Sequence, residues 1–594
     1  MPSPTFWTAE EKIPIAQKKV SIQAENGLEY ALGQQVDFTI PAQTGYMMPS
    51  ETYLRMDCKI QFPSGADAAG KRTRLMLDEQ LGGNVLIRDI RVSSGGAQNI
   101  LLEELQNVNV LTALKYDYET NDTLKKKRAL TEGTTLPQTP LCRGTNGTNA
   151  NATMNTDDNP WSQNTKVFNN DDYETVKCLL RLPTGIFQND KIFPLQLTEG
   201  LRVSIILEDA NKVFRQLDSV SKYRNVSCNP KFHSLNGSNT APTDWVDNDT
   251  WGRFWLQRIN SQGVDTGVLA VPFIVGEKIG FFNPTTGEDT ADKLDFTISA
   301  IEWDNSVGSA NDDGGLVKIS CDPSVKLDGA GFDISQDFYV YSRTLEDETT
   351  YTPTCSVNNV ELIVQQVEMP AGYTAKMNSM LKAGGSMNYD FLSYTNYKYS
   401  QQSSDIVANI RLPIGNSRCK SILCIPCDAS NYTPIQAIKG DTTYVYDKLL
   451  ADCVNATNSQ NTSKRSGLVG IADHASNYQF IYDGKLNPNR KVPLSRISVV
   501  GENAPINQQC LIEQEKALHQ AGIDPLSFEA YKKNFFIGRA LSLQNGVYDA
   551  RGKDFNLQVE YQESTAPTKG KLWNCWVAHL RRIVVRGDQI ALEV

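Results

Sequence analysis

Cys419, Cys424 and Cys427, with Cys453 downstream, come nearest in this chain to the spacing of a metal or redox site. C-x4-C-x2-C followed by a distant cysteine can hold an iron–sulfur cluster, because four thiolates must converge on the irons. Cys424-Ile425-Pro426-Cys427 alone has the span of a redox pair. The intervening residues argue against both. CKSILCIPC reads as an apolar strand, whereas a cluster loop needs small, flexible residues whose amides turn toward sulfur. The βαβ setting of a thioredoxin-like pair is also missing.

Other chemistry is as thinly supplied. The four histidines, His233, His474, His519 and His579, stand in no metal or triad motif. Gly70-Lys71-Arg72-Thr73 looks like the end of a phosphate loop but lacks the earlier glycine and opens no helix. The acids at Asp171-Asp172, Asp244 to Asp249 and Asp312-Asp313 have the oxygen chemistry that Ca²⁺ prefers, and are read as solvated loop residues. Lys125-Lys126-Lys127-Arg128 could touch nucleic acid, and is read as a solvated patch after a helix, where positive charge suits the C-terminal dipole. No catalytic, cofactor-binding or metal-ligating residue is assigned, no cofactor is expected, and the chain is read as a non-enzyme.

The elements that would have to position such groups are mostly strands. Val36, Phe38 and Ile40 alternate, as do Leu54, Met56, Cys58, Ile60 and Phe62, the pattern of a half-buried sheet. Further strands are expected over Leu81–Val92, Ile406–Leu412, Lys420–Pro426 and Tyr478–Tyr482. Val360–Val367 reads as a strand buried on both faces. Leu101, Leu105, Val108, Leu111 and Leu114 recur at helical spacing, which predicts a helix over Ile100–Tyr118. Thr374–Ala383 predicts a short helix stopped by Gly384-Gly385.

Two stretches repeat a pattern. Leu182–Asp209 and Leu541–Tyr561 each carry a Gly-aliphatic-aromatic turn, Gly185-Ile186-Phe187 and Gly546-Val547-Tyr548. Each then ends in an alternating strand, Leu201–Leu207 and Phe555–Tyr561. Upstream, Leu86–Val92 followed by Leu101–Leu105 parallels Leu494–Val500 followed by Leu511–Glu515. Downstream, Val360–Val367 parallels Trp576–Val585. Ordered self-similarity marks a duplicated unit.

The chain has 594 residues, 40% of them hydrophobic, which is too long for one core and apolar enough for two. Its net charge of −10 does not suit broad coating of nucleic acid. No window reaches the roughly 20 apolar residues of a membrane span, and no secretory signal is read at the start. The twelve cysteines are therefore read as reduced, buried thiols. The expected division is an arm over 1–24, a first jelly roll over 25–370 with long insertions at 119–172 and 210–352, a linker helix over 371–387 and a second jelly roll over 388–594. The fold class is all-β: two tandem eight-stranded jelly rolls with short inserted helices and long loops.

Ile87-Arg88-Asp89-Ile90-Arg91-Val92 with the helix after it, and Leu182-Pro183-Thr184-Gly185-Ile186-Phe187, resemble the first barrel of double jelly-roll major capsid proteins. Val360-Glu361-Leu362, the linker helix and Tyr389–Tyr399 resemble the junction between barrels. The likeness is to capsid proteins of the virophage and polinton-like virus type. It implies a homotrimer whose six barrels make a pseudo-hexagonal block tiling an icosahedral shell in the virion. The implied partners are neighbouring capsomers, a separate single jelly-roll penton protein at the vertices and internal cement proteins. No sequence-specific nucleic-acid partner is implied, and membrane contact is left open. The 1–24 arm, with Phe6, Trp7 and Ile13, would then dock on a neighbour inside the shell. The alternative is a carbohydrate-binding or carbohydrate-active β-sandwich, with Trp245, Trp251 and Trp255 as sugar platforms.

Overall fold

The computed structural model describes residues 16–42, 45–61, 73–78, 80–96, 99–121, 124, 127–128, 131–133, 167–168, 173–213, 215–217, 230–231, 251–257, 278–282, 296–304, 316–325, 339–342, 354–429, 467–473, 475–494, 508–526, 534–542, 546–561, 567, 569–586 and 589–593.

Alternating side chains set the first half. In chain order come β1 (Ala16–Gln23), β2 (Glu29–Ala31), β3 (Gln35–Ile40), β4 (Tyr46–Gln61), β5 (Thr73–Met76), β6 (Ile87–Ser94) and β7 (Leu101–Leu105). A helix, Val108–Glu119, follows. Then come β8 (Val167–Phe168), β9 (Tyr173–Arg181), β10 (Phe193–Pro194) and β11 (Leu201–Leu207). Strands β12 (Arg215–Leu217), β13 (Pro230–Lys231), β14 (Trp251–Gln257), β15 (Lys278–Phe282), β16 (Phe296–Asp304), β17 (Leu316–Val325) and β18 (Tyr339–Ser342) intervene before β19 (Thr354–Glu368) closes the half. Two sheets face each other: β1-β19-β4, with β9 on the far side of β4, and β3-β11-β6-β7. Val203 and Ile205 of β11, Val36 and Phe38 of β3, and Leu362 and Val364 of β19 meet between them in one core. The excursion from β11 to β19 builds its own six-stranded sheet, β13-β14-β17-β16-β15-β18.

A linker helix, Ala371–Lys382, leads to the second half: β20 (Ser386–Gln401), β21 (Val407–Leu412), β22 (Cys419–Asp428), β23 (Ala475–Tyr482), β24 (Lys485–Pro493), a helix Gln508–Gln520, β25 (Ile537–Ala540), β26 (Phe555–Tyr561), β27 (Lys571–Arg586) and β28 (Gln589–Glu593). Its sheets are β20-β27-β22-β25 and β21-β26-β23-β24. This is the first half's order again. Strands β1, β3, β4, β6, β7, β9, β11 and β19 correspond to β20, β21, β22, β23, β24, β25, β26 and β27, with one helix at the same point in each. Each half is thus an eight-stranded jelly roll, and the expected fold class holds. Strands β11 and β26 lie at equivalent places, β11 between β3 and β6, β26 between β21 and β23.

Five sequence expectations need correction. Of the strand read over Leu81–Val92 only the part from Ile87 is extended, and Gly82–Leu86 is a buried 3₁₀ turn. Leu101–Leu105 is strand, paired to β6, and the helix starts only after Asn107, which takes a left-handed φ of 53°. The leucine spacing fits both periods, and pairing with β6 decides. The upstream echo is therefore out of step. The counterpart of helix Gln508–Gln520 is Val108–Glu119, and β6 corresponds to β23; 495–500 lie outside the described residues. Ala16–Gln23, read as the end of an arm, is β1, paired along its whole length to β19. A partner so distant in sequence leaves no local signal. Last, β19 alternates over its middle, where Val360, Leu362 and Val364 are buried and Glu361 and Ile363 half-buried; only beyond it are Gln365 and Val367 both buried.

The core of the second roll gives a direct test. Leu557 on β26 is fully buried between the sheets, whereas the neighbouring Gln558 points away from that core. Leu557→Ala should lower unfolding free energy by about 2–5 kcal/mol, and Gln558→Ala should change it by less than about 0.5 kcal/mol, both read from denaturant midpoints.

Candidate functional site

In the sheet β20-β27-β22-β25 the central strands β22 and β27 are covered on both faces over most of their length. Cys424, Cys575 and Val577 point into the sandwich core. Leu423, Ile425, Cys427, Trp576 and Ala578 point the other way, where they meet two helices. One helix, Gln508–Gln520, belongs to the same roll and contributes Ala517 and Leu518. The other, Val108–Glu119, belongs to the first roll and contributes Val110, Leu111, Leu114 and Tyr118. Tyr118 sits edge-on to Phe536, ring centroids 5.5 Å apart.

The cysteine segment is therefore a central strand sealed on both sides. Burial pushes the Cys419 and Cys427 thiols up to about 12, and burial with the Cys575 contact raises Cys424 well above the usual thiol value. Thiolate is what a metal or a disulfide exchange needs, and these sites suppress it. Cys453 lies outside the described residues. Among the described residues no group of three or more His, Cys, Asp or Glu could hold a metal.

The other flagged residues do not converge either. His519 is exposed on its helix beside Asp524 and Glu515. His579 is fully buried, with Nε2 2.9 Å from Thr395 Oγ1. Arg128 lies over the Tyr116 ring, 3.5 Å from its centroid, which takes it out of any free basic run. Thr73 opens β5, and Trp251 and Trp255 stand on β14. His233, His474, Gly70 to Arg72, the three acidic clusters, Lys125, Lys126 and Trp245 lie outside the described residues.

What the structure does build is a seam between the rolls, pinned by a carboxylate. Glu103 on β7 is fully buried. It accepts from Gly185 N (2.9 Å), Ile186 N (3.1 Å) and Ser393 Oγ (2.7 Å). The first two belong to the Gly-Ile-Phe turn, and the third belongs to β20 of the other roll. Gly185 has to be glycine, since a Cβ there would fall 1.8 Å from Leu392 O. Arg581 on β27 donates to Leu102 O at 2.9 Å and sets its charge near Glu103. Asn107 and Asn396 both donate to Asn574 Oδ1, at 2.7 and 3.0 Å. Tyr389 packs edge-on against Phe193 at 5.0 Å and donates to Lys191 O. Sequence reading found the glycine turn but not Glu103, one of two adjacent acids on the strand LLEEL, and nothing local tells which of the two is buried.

A second buried polar knot lies within the second roll. Lys571 Nζ is held 2.7 Å from Asp428 and 2.9 Å from Asp473, all three almost fully buried. Burial pulls the Lys571 ammonium toward neutrality, but the two carboxylates outweigh it and its pKa is raised. The three residues come from separate stretches, and nothing local in the sequence marks them.

No family model matches this chain, and no curated protein matches it. Among solved structures it is similar to PBCV-1 VP54 as fitted into a reconstruction of the virophage Sputnik, with 10% identity over 99% of this chain and 100% of that one, TM-score 0.45. It is also similar to the Faustovirus major capsid protein, with 8% identity over 98% and 93%, TM-score 0.45. The mavirus major capsid protein is similar at 9% identity over 100% and 95%, TM-score 0.38.

Two seam groups titrate in opposite senses. Burial raises the Glu103 pKa against its hydrogen bonds and Arg581. Its contribution to stability is complete below the unfolded value of about 4.3 and falls as pH rises through the raised folded value. Burial, then Arg581, lowers His579 to about 3. Its contribution is complete above the unfolded value of about 6.5 and is lost as pH falls from there toward the folded value. His579→Gln should flatten the loss of stability between about pH 6.5 and pH 5, where a single such group can contribute up to about 1.4 kcal/mol per pH unit. Denaturant titrations at both pH values check it. Glu103→Ala, which strands two amides, a hydroxyl and Arg581, should cost about 3–5 kcal/mol at neutral pH.

Proposed function

We propose that this chain is a structural shell protein, a major capsid protein that works as a homotrimer of six jelly rolls. The observation that carries this is a mismatch between equivalent faces. In the second roll the outer face of β20-β27-β22-β25 is covered by the first roll's helix. In the first roll no helix among the described residues covers the equivalent outer face of β1-β19-β4-β9. Arg55, Lys177 and Arg181 are exposed there, with Leu179 and Ile363 half-buried among them. Arg55 pairs with Glu361 at 3.1 Å, and Arg181 lies over the Tyr53 ring.

Two like rolls joined so that one covers the other's face leave one face for a neighbour's roll to cover. Such a head-to-tail contact is heterologous and closes when the rotation completes a ring. Three chains give six near-equivalent rolls, the geometry of a pseudo-hexagonal tile. The rigid seam suits this role, since a tile must keep its two rolls at one angle. The absence of converging reactive groups among the described residues is compatible with work done by assembly and not by turnover. On this reading the protein resides in the virion. Its partners are neighbouring trimers, a single jelly-roll penton protein and internal cement proteins.

Mass photometry of the purified chain tests the core of this. The expected species is about three times the 66.0 kDa chain mass. Leu179→Asp combined with Ile363→Asp should give a folded monomer with unchanged far-UV circular dichroism. A wild-type monomer, or a trimer indifferent to both substitutions, would sink the proposal.

A further inference from the structure

Each roll carries a cysteine pair between the same two strands. In the second roll Cys424 on β22 is directly opposite Cys575 on β27. In the first roll Cys58 on β4 and Cys355 on β19 are diagonal neighbours, since Cys58 is opposite Val357. Their sulfurs are 3.1 Å apart. The pairs differ in access. Cys424 and Cys575 are both fully buried in a sheet covered on its two faces. Cys58 is buried, but Cys355 is half-exposed, one residue inside the start of β19, where the chain returns from the long insertion.

We propose that Cys58 and Cys355 are an oxidisable pair that closes to a disulfide on the folded protein, while Cys424 and Cys575 are its sealed counterpart and stay reduced. A disulfide needs the sulfurs about 2.05 Å apart, so closure asks for an approach of about 1 Å between side chains already on one face of one sheet. The oxidant is a small disulfide such as oxidised glutathione. The Cys355 thiolate attacks one glutathione sulfur, forming a mixed disulfide and releasing one glutathione thiolate. Cys58 then gives up its proton and attacks the Cys355 sulfur, releasing the second. Two electrons pass from the chain's sulfurs to glutathione, and the two thiol protons end on the two leaving thiolates. Cys355 is the first attacker because it alone reaches solvent. The hydrogen bond with Cys355, then burial, holds Cys58 as the thiol until the mixed disulfide forms. Cys178 on β9 is the competing thiol, since Met56 and Val176 pair it into the same sheet beside Cys58. Its sulfur instead points toward Glu132 O at 3.7 Å and Val176 O at 3.9 Å.

The closed bond would join residues 297 positions apart and tie the start of β19, where the chain returns from the insertion, to β4. The test uses the full folded chain incubated with oxidised glutathione, then alkylated in denaturant, digested and mass-mapped. The expected map links Cys58 to Cys355 and leaves Cys424 and Cys575 alkylated. Cys355→Ser should fold with the same circular dichroism and leave Cys58 alkylated after the same treatment. Alkylation of both Cys58 and Cys355 in the wild type, glutathione retained on Cys355, or a Cys58–Cys178 link would each overturn the pairing. A Cys424–Cys575 link under these conditions would overturn the difference in access.

Discussion

A strand with water on neither side tolerates almost no error, and β22 and β27 at the centre of the second roll's β20-β27-β22-β25 are such strands. Every side chain on these two strands must be apolar or find its partner inside the protein, because an unpaired buried polar group costs on the order of 1–3 kcal/mol. Several polar residues there obey this, while Ser421 Oγ, Trp576 Nε1 and His579 Nδ1 are buried without a hydrogen-bond partner among the described residues. Asn574 accepts from Asn107 and Asn396, His579 meets Thr395, and Lys571 sits between two aspartates. Half of the cover is a helix supplied by the first roll. The second roll therefore cannot be dry alone, and the two rolls share one stability.

Duplicated topology does not mean duplicated chemistry. Strands β4 and β22 hold the same place, yet β22 reads CKSILCIPCD and is buried almost throughout, while β4 alternates buried Leu54, Met56 and Cys58 with polar Arg55, Asp57 and Lys59. The difference is what lies over the outer face. The turns diverge in the same way. Gly185-Ile186-Phe187 is buried against the other roll, whereas Val547 of the matching turn is 47% exposed. In the first turn a Cβ on Gly185 would meet the Leu392 carbonyl of β20, whereas Gly546 of the matching turn is exposed.

The strands that alternate cleanly, β3, β11, β21 and β26, were legible because one face meets the core and the other meets water, so period two survives in the sequence. The interior of β22 was legible as strand but not as a surface shared with another roll; continuous apolarity says buried without saying by what. Where partners lie far apart in the chain, local pattern failed. Leu101–Leu105 satisfies helical spacing, and its pairing with β6, Glu103's bonds to Gly185, Ile186 and Ser393 and the left-handed Asn107 are what make it extended. Strand β1 carries too few apolar residues to announce itself, being an edge strand defined by the β19 backbone beside it. Glu103 and Lys571 were silent for a related reason, since a buried charge is recognisable only by what surrounds it.

The long excursion between β11 and β19 sets an order of events in time. Strand β19 lies between β1 and β4, and both must wait for it. While the chain emerges from the ribosome, β4 can pair with β9, but β1 has no neighbour until residues near 361–368 arrive. Contacts this remote in sequence are slow to form, because the intervening chain must be gathered first. For that interval the first roll is a half-built sandwich with an open strand edge, the kind of surface that pairs with the wrong chain. Yield during synthesis should then depend on how quickly the inserted six-stranded sheet condenses and brings its two ends together.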